Sequence, residues 1–304
     1  MIPYGQHPQP LHTIAHFSDP HFLDGNRPLY GAMDTEANLL EALALLERSG
    51  TNPEAIVFTG DLADLGEAEA YTRLRATVEP VAERMGTRII WVMGNHDERA
   101  IYQRLLFDED GTDAPQDRVY DINGLRIIAI DSTVPGYHHG AITEGQLEWL
   151  ADQLRAPAEH GTLLALHHPP IPTPLDIMAL LELQEQERLA DVVRGTDVRG
   201  ILGGHLHYST HSLFAGVPVS VASATCYTLD LSAPPRTLSG VGGSHAFNLV
   251  HIYEDRIVHS IVPVARHAEV SGFDADMIAG LDAMSHEERI ERFSRKHPAG
   301  ESPQ

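Results

Sequence analysis

Residues 55–64 read Ala-Ile-Val-Phe-Thr-Gly-Asp-Leu-Ala-Asp. A short apolar run rich in β-branched residues that stops at a glycine describes a buried strand breaking into a turn, here with two carboxylates just past its end. Similar runs predict strands at 12–18, 55–59, 88–93, 118–122, 125–131, 162–167 and 198–203. Longer amphipathic stretches between them predict helices at 34–48, 67–84, 98–106, 143–155 and 176–194, the first opened by Asp34 as its N-cap. Strands alternating with covering helices define an α/β protein. Ile122-Asn123-Gly124-Leu125 reads as a tight hairpin turn. Beyond residue 208 the runs at 210–215, 217–223, 246–253 and 256–264 predict consecutive strands and an antiparallel portion of a sheet. Between them, residues 229–245 are rich in Pro, Gly and Ser and read as a loop able to shape a rim. No internal repeat is visible.

Metal-binding residue types gather at the C-terminal ends of five of these strands, where α/β folds commonly build their sites. They are Asp19-Pro20-His21, Gly60-Asp61-Leu62-Ala63-Asp64, Gly94-Asn95-His96-Asp97, His167-His168 and Gly203-Gly204-His205-Leu206-His207. Taken singly, each has an ordinary reading. An Asp beside a Gly is a turn or a helix cap, and a lone His after an apolar run is a satisfied core residue. Five clusters in this order, all at strand ends, are not accounted for that way.

Charge limits the partners. The 304 residues hold 21 basic and 43 acidic side chains, a formal charge of -22, which repels a polyanion and argues against long nucleic acid. An anionic substrate would need bound cations to reverse the field in one cleft. Cys226 is the single cysteine, so no internal disulfide is possible. The polar, proline-containing stretch Met1 to Pro10 lacks the apolar run of a signal peptide, and no stretch is apolar enough to span a membrane, so a cytoplasmic location is expected.

The ordered set D-x-H, G-D-x-x-D, G-N-H-D, H-H and G-H-x-H resembles the calcineurin-like metallophosphoesterase pattern, with every ligand position intact. Ala55 to Ala63, Trp91 to Asp97, Leu164 to Pro172, Gly200 to Thr210 and Val219 to Tyr227 resemble bacterial class III cyclic nucleotide phosphodiesterases. The resemblance covers most of 12–264 and weakens in 229–245 and after 266. It implies a four-layer α/β/β/α sandwich with two mixed β-sheets. It implies that Asp19, His21, Asp61 and His207 hold one metal ion and Asp61, Asn95, His167 and His205 a second, with Asp61 shared. Oxygen and imidazole donors without thiolate suit Fe with Mn, or Zn. Two such cations activate water for in-line attack on phosphorus and neutralise phosphoryl oxygens.

His96 fits neither ligand set, and the resemblance makes it the catalytic histidine at the leaving group, with Asp64 as the partner that orients it. His138 and His139 follow a strand ending at Asp131 and could reach substrate or brace a ligand, or equally belong to a solvated loop, while His168 is expected to support His167. Tyr227 and Cys226 could border a base pocket, with packing in the core the favoured reading. The resemblance further implies a homodimer. The substrate is expected to be a 3',5'- or 2',3'-cyclic nucleotide or a related diester. The alternatives are another phosphoesterase of the same fold, acting on phosphomonoesters, glycerophosphodiesters or lipid-linked diesters, and a non-catalytic interaction module. A metallophosphoesterase domain is expected over 1–265, followed over 266–304 by a helical segment and a disordered tail.

Overall fold

The computed structural model describes residues 4–265 and 268–296. Contacts divide the chain into Pro10–Ala265 and a second unit in which residues 4–9 group with the C-terminal segment. In chain order the elements are β1 (His12–Phe17), α1 (Thr35–Arg48), β2 (Ala55–Thr59), α2 (Ala68–Met85), β3 (Arg88–Val92), α3 (Arg99–Phe107), β4 (Arg118–Ile122), β5 (Leu125–Ile130), α4 (Glu144–Gln153) and β6 (Thr162–Leu166). They continue as α5 (Asp176–Leu180), α6 (Gln186–Val193), β7 (Val198–Gly203), β8 (Thr210–Phe214), β9 (Val217–Val221), β10 (Thr228–Leu229), β11 (Gly240–Val241), β12 (Ala246–Ile252), β13 (Ile257–Pro263), α7 (Ala275–Asp282) and α8 (His286–Phe293).

Five strands form one sheet in the order β13-β12-β1-β2-β3, and six form another in the order β4-β5-β6-β7-β9-β8. Both are mixed: β1, β2 and β3 run parallel with β12 and β13 antiparallel, while β5, β6, β7 and β9 are parallel with β4 and β8 antiparallel. The period of two along each strand sorts the apolar side chains into three cores. Ile56 and Phe58 of β2 face Leu39, Leu43 and Tyr71 of α1 and α2, whereas Ala55 and Val57 face Leu125, Ile127 and Leu163 of the other sheet. On the far side Ile128, Leu164 and Leu166 pack against Leu147, Leu150 and Leu189 of α4 and α6. Helices, sheet, sheet and helices are therefore the four layers anticipated for the fold.

Local chemistry agrees with most of the sequence reading. Asp34 accepts from the Ala37 N–H as the α1 cap, and Asn123 and Gly124 both take positive φ in the β4–β5 hairpin. Two expectations change. The helix expected over 176–194 is broken, because Gly140 exchanges backbone hydrogen bonds with Glu182 and Gln184 and Glu185 adopts φ 51° ahead of α6. The late strands do not make one antiparallel group: β8 and β9 join one sheet, with β9 parallel to β7, and β12 and β13 join the other. The 229–245 loop carries the β10–β11 ribbon.

In the second unit Asp274 caps α7, and Ser285 and Glu288 form a capping box on α8. Tyr4 donates to Asp282 at 2.6 Å and lies under the Arg289 guanidinium, 4.7 Å from its ring centroid. The tail from Pro298, expected to be disordered, lies outside the described residues. No helix among the described residues is long and apolar enough to cross a membrane.

Between the sheets, buried His16 and half-buried His259 are held neutral. Burial and neighbouring His259 push His16 down to about 3, and burial with nearby His211 pushes His259 down to about 4. Neither ring nitrogen of His259 has a hydrogen-bond partner among the described residues. The unfolded chain takes up these protons near pH 6.5 and the folded chain refuses them, so stability present at neutral pH is lost as pH falls from about 6.5 toward 4. One such histidine contributes a slope of up to about 1.4 kcal/mol per pH unit. Urea unfolding at pH 7 and pH 5 is expected to show a smaller loss for His259→Phe than for the wild type. An equal loss in both would contradict the assignment.

Candidate metal centre

Parallel β1, β2 and β3 end side by side in one sheet and parallel β6 and β7 in the other, so the five motifs meet at one end of the sandwich. The turns that follow are strained. Asp19, His21, Asp61, His205 and His207 all have φ between 44° and 67°, a left-handed conformation that non-glycine residues keep only when the surroundings impose it. Glycines supply the room. A Cβ on Gly60 would lie 2.5 Å from Nδ1 of His167, and one on Gly204 would lie 2.0 Å from Oγ of Ser18.

The hydrogen bonds of the histidines assign their tautomers, because carbonyls and carboxylates can only accept. Nδ1 of His167 donates to the Thr59 carbonyl at 2.7 Å, Nδ1 of His207 to the Tyr227 carbonyl at 3.1 Å, and Nδ1 of His21 to the Asp64 carboxylate at 2.8 Å. Each Nε2 is thereby left as a lone pair. Nε2 of His205 donates to the Leu181 carbonyl at 3.0 Å, so here Nδ1 is the lone pair. The break between α5 and α6 is what presents that carbonyl.

These lone pairs converge on other lone pairs. Nε2 of His21 lies 3.3 Å from Nε2 of His207, and Nε2 of His207 lies 3.3 Å from Oδ1 of Asp19. Oδ2 of Asp61 lies 3.3 Å from Nε2 of His21 and also 3.3 Å from Nε2 of His167, which is itself 3.0 Å from Oδ1 of Asn95. The donor atoms of Asp19, His21, Asp61 and His207 fall within 4.8 Å of one another. Acceptors facing acceptors at these distances fit a bound cation, and the single oxygen Oδ2 of Asp61 stands between two such sets.

The electrostatics agree. Burial opposes charge on the carboxyls, but His207 and His167 hold Asp19 below the ordinary carboxylate range, and His167 and His96 hold Asp61 well below it. Burial likewise opposes charge on the imidazoles, yet Asp61 raises His167 to about 8, and Cys226 with Asp19 raises His207 to about 10. The pocket therefore favours positive charge where metal ions would sit.

The remaining candidates divide. Nδ1 of His96 donates to the backbone carbonyl of Asp64 at 2.7 Å, while its distance to the Asp64 carboxylate is 3.6 Å. The Asp64 side chain is thus committed to His21, and Asp64 positions His96 through its main chain. His138 accepts from the Asn95 amide at 2.9 Å, which turns Oδ1 of Asn95 toward His167. His139 instead packs on Tyr137, 5.3 Å between centroids. His168 is held at both nitrogens, by Ser132 and by the His138 carbonyl, and stacks edge-on against His167 at 5.0 Å. Cys226 is buried as expected, but Tyr227 is not simply core: its ring lies 4.4 Å from that of His207 and lines the same pocket.

Asp97 has a role that no ligand pattern reveals. Its carboxylate accepts from the N–H groups of Leu62, Ala63 and Gly94 and from the Tyr71 hydroxyl, at 2.8 to 3.1 Å. It thereby ties the turn after β2 to the turn after β3. Burial and the nearby Asp61 raise it to about 7, with the three backbone N–H groups pulling the other way. Four donors and no acceptor fit the ionised form.

The chain matches the calcineurin-like phosphoesterase family over residues 12–209. It is 53% identical over 268 residues to a cAMP/cGMP dual specificity phosphodiesterase of Mycobacterium tuberculosis, covering 88% of this chain and 84% of that protein. Identity to a probable cyclic nucleotide phosphodiesterase of Rhodococcus erythropolis is 51% over 272 residues, 89% of this chain and 90% of that one. Among solved structures, a dimetal phosphatase from Danio rerio superposes with a TM-score of 0.60 at 17% identity, covering 84% of this chain and 98% of that one, a likeness of fold. This chain belongs to the calcineurin-like phosphoesterase family.

Asp97→Ala would leave three buried N–H groups and a hydroxyl without their acceptor. It is expected to destabilise the protein by about 3–5 kcal/mol in urea unfolding, with Asp97→Asn intermediate. A loss below about 1 kcal/mol would contradict the bracing role.

Proposed function

We propose that this chain is a two-metal phosphodiesterase that hydrolyses cyclic nucleotides, with 3',5'- and 2',3'-cyclic AMP as the substrates to compare. The observation that carries the proposal is Oδ2 of Asp61, 3.3 Å from one histidine of each donor set. The choice of diester is supported by the 53% identity to a protein named for cAMP and cGMP hydrolysis.

Asp19, His21, Asp61 and His207 would hold one ion and Asp61, Asn95, His167 and His205 the other. Bound there, the ions would supply Lewis-acid stabilisation of phosphoryl oxygens and an activated water. The oxygen and imidazole donors support Fe with Mn, with Zn able to occupy the same set. The thiol of Cys226 sits on the Nδ1 side of His207, 3.8 Å away, and is not counted as a ligand.

The chain's own residues do the rest. Hydrolysis forms a new P–O bond from water and breaks one to a ribose oxygen, which must gain a proton. With its Nδ1–H fixed on the Asp64 carbonyl and its pKa lowered by burial, His96 rests neutral with Nε2 as a lone pair; it can take the proton that water releases as it attacks and pass it to the leaving oxygen. The His138–Asn95 bond engages the Asn95 amide nitrogen and leaves Oδ1 as the atom that would serve an ion. The lone cysteine, buried and unpaired, supports a cytoplasmic setting, and the homodimer remains a reading from family resemblance.

Purified with Mn²⁺, the protein is expected to cleave bis(p-nitrophenyl) phosphate and the cyclic nucleotides. Asp61→Ala or Asn95→Ala should lower kcat/KM by about 10³ or more. Protein carrying two metal ions that hydrolyses none of these would overturn the reading.

A positioning variant and a proton-transfer variant should behave differently from each other. Asp64→Asn is expected to weaken metal affinity about 10- to 100-fold, since the Asp64 carboxylate orients His21. His96→Gln should keep full metal content by elemental analysis yet lose about 10²-fold in kcat. Loss of metal in His96→Gln would show it to be a ligand rather than a proton donor.

A further inference from the structure

Next to the metal pocket, a cavity of about 230 Å³, lies a second cavity of about 370 Å³ that shares Tyr227, Leu229 and Leu238 with it. Its remaining walls include Tyr30, Met33 and Val241. Tyr227 thus stands at the junction, its ring 4.4 Å from His207 on one side and 5.5 Å from Tyr30, edge-on at 69°, on the other.

The cavity is held in shape by several independent contacts. Leu29, buried with Leu23, Ala224 and Cys226, anchors a tight turn in which Leu29 and Met33 exchange both backbone hydrogen bonds. At its tip Tyr30 is held at φ 52° and its ring is 71% exposed, a costly way to display an aromatic side chain unless it meets something. Opposite, the β10–β11 ribbon closes down. A Cβ on Gly240 would lie 3.0 Å from the Tyr227 ring, and one on Gly242 would lie 2.8 Å from Sδ of Met33.

Among the described residues no charged side chain lines this cavity, which sets it apart from the metal pocket beside it. A phosphate would not leave the cation-binding pocket for it, but a flat, neutral, aromatic group attached to that phosphate fits. We infer that this cavity binds the nucleobase of the cyclic nucleotide between Tyr227, Tyr30 and the β10–β11 ribbon. The inference rests on the phosphodiesterase reading above and names the specificity element of that site. Among the described residues, the only side-chain hydrogen-bonding groups in its walls are the two phenols. Stacking, with little readout of the base edge, therefore determines binding, and adenine and guanine are accepted with similar KM.

The test compares 3',5'-cAMP and 3',5'-cGMP with methyl p-nitrophenyl phosphate, a diester that carries no base, in the Mn²⁺-loaded protein. Tyr30→Ala, which removes one wall, and Val241→Trp, which fills the cavity, are the variants. The expected result is a KM raised about tenfold for both cyclic nucleotides relative to the baseless diester, with similar values for the two purines in the wild type. Wild-type cleavage of cyclic nucleotides with an unchanged ratio in both variants overturns the base pocket alone. A wild type that cleaves only the baseless diester overturns the cyclic nucleotide reading and the pocket with it.

Discussion

Lone pairs packed against lone pairs are the constraint on which the rest of this structure depends. His21, His207 and His167 have each given their Nδ1–H to a fixed acceptor, so their Nε2 atoms confront one another and the oxygens of Asp19, Asp61 and Asn95. Such an arrangement is repulsive by itself and favourable around cations. The raised imidazoles and depressed carboxyls are two signs of the same demand for positive charge, in a chain whose formal charge is -22. Attraction of an anionic substrate is in this way confined to one pocket.

The fold meets that constraint by bringing strand ends together. Neighbouring parallel strands in two facing sheets deliver motifs that are far apart in sequence, and strained turns with glycine contacts bring them close enough to share ligands. The acceptors that orient the histidines come largely from main chain, at Thr59, Leu181 and Tyr227, and are rigid because the turns are rigid. Asp97 adds a tie between two of those turns. A ligand set spread over five loops would otherwise be free to spread apart, and an ångström of looseness there matters for chemistry of this kind.

Much of this was legible in the sequence because strands and ligands leave local signals. The period-two runs placed the strands to within a residue or two, and the clustering of Asp, Asn and His at their ends marked the pocket. What could not be read was set by contacts between distant segments. The split of the 176–194 helix follows from Gly140 bonding to Glu182 and Gln184, which no local pattern encodes. The division of the late strands between two sheets is likewise a matter of pairing. The sequence marks Asp64 as the partner that orients His96 but not by which atoms: its carbonyl serves His96 and its carboxylate serves His21. Asp97 stood inside a recognised motif, yet its acceptors' partners lie on three separate segments. Tyr227 read as core because its own neighbourhood is apolar, and only the approach of His207 and Tyr30 shows its second face.

The division of labour that emerges is between a charged pocket that would hold phosphate and an uncharged one beside it that would hold the base, joined along Tyr227, Leu229 and Leu238. Everything in that scheme depends on two cations flanking Oδ2 of Asp61. Anomalous X-ray diffraction from crystals grown with Mn²⁺ tests this most directly. The account predicts two peaks on either side of that oxygen, about 3.5–4 Å apart, one beside His21 and His207 and the other beside His167 and His205. A single peak, or none within reach of Asp61, would contradict it.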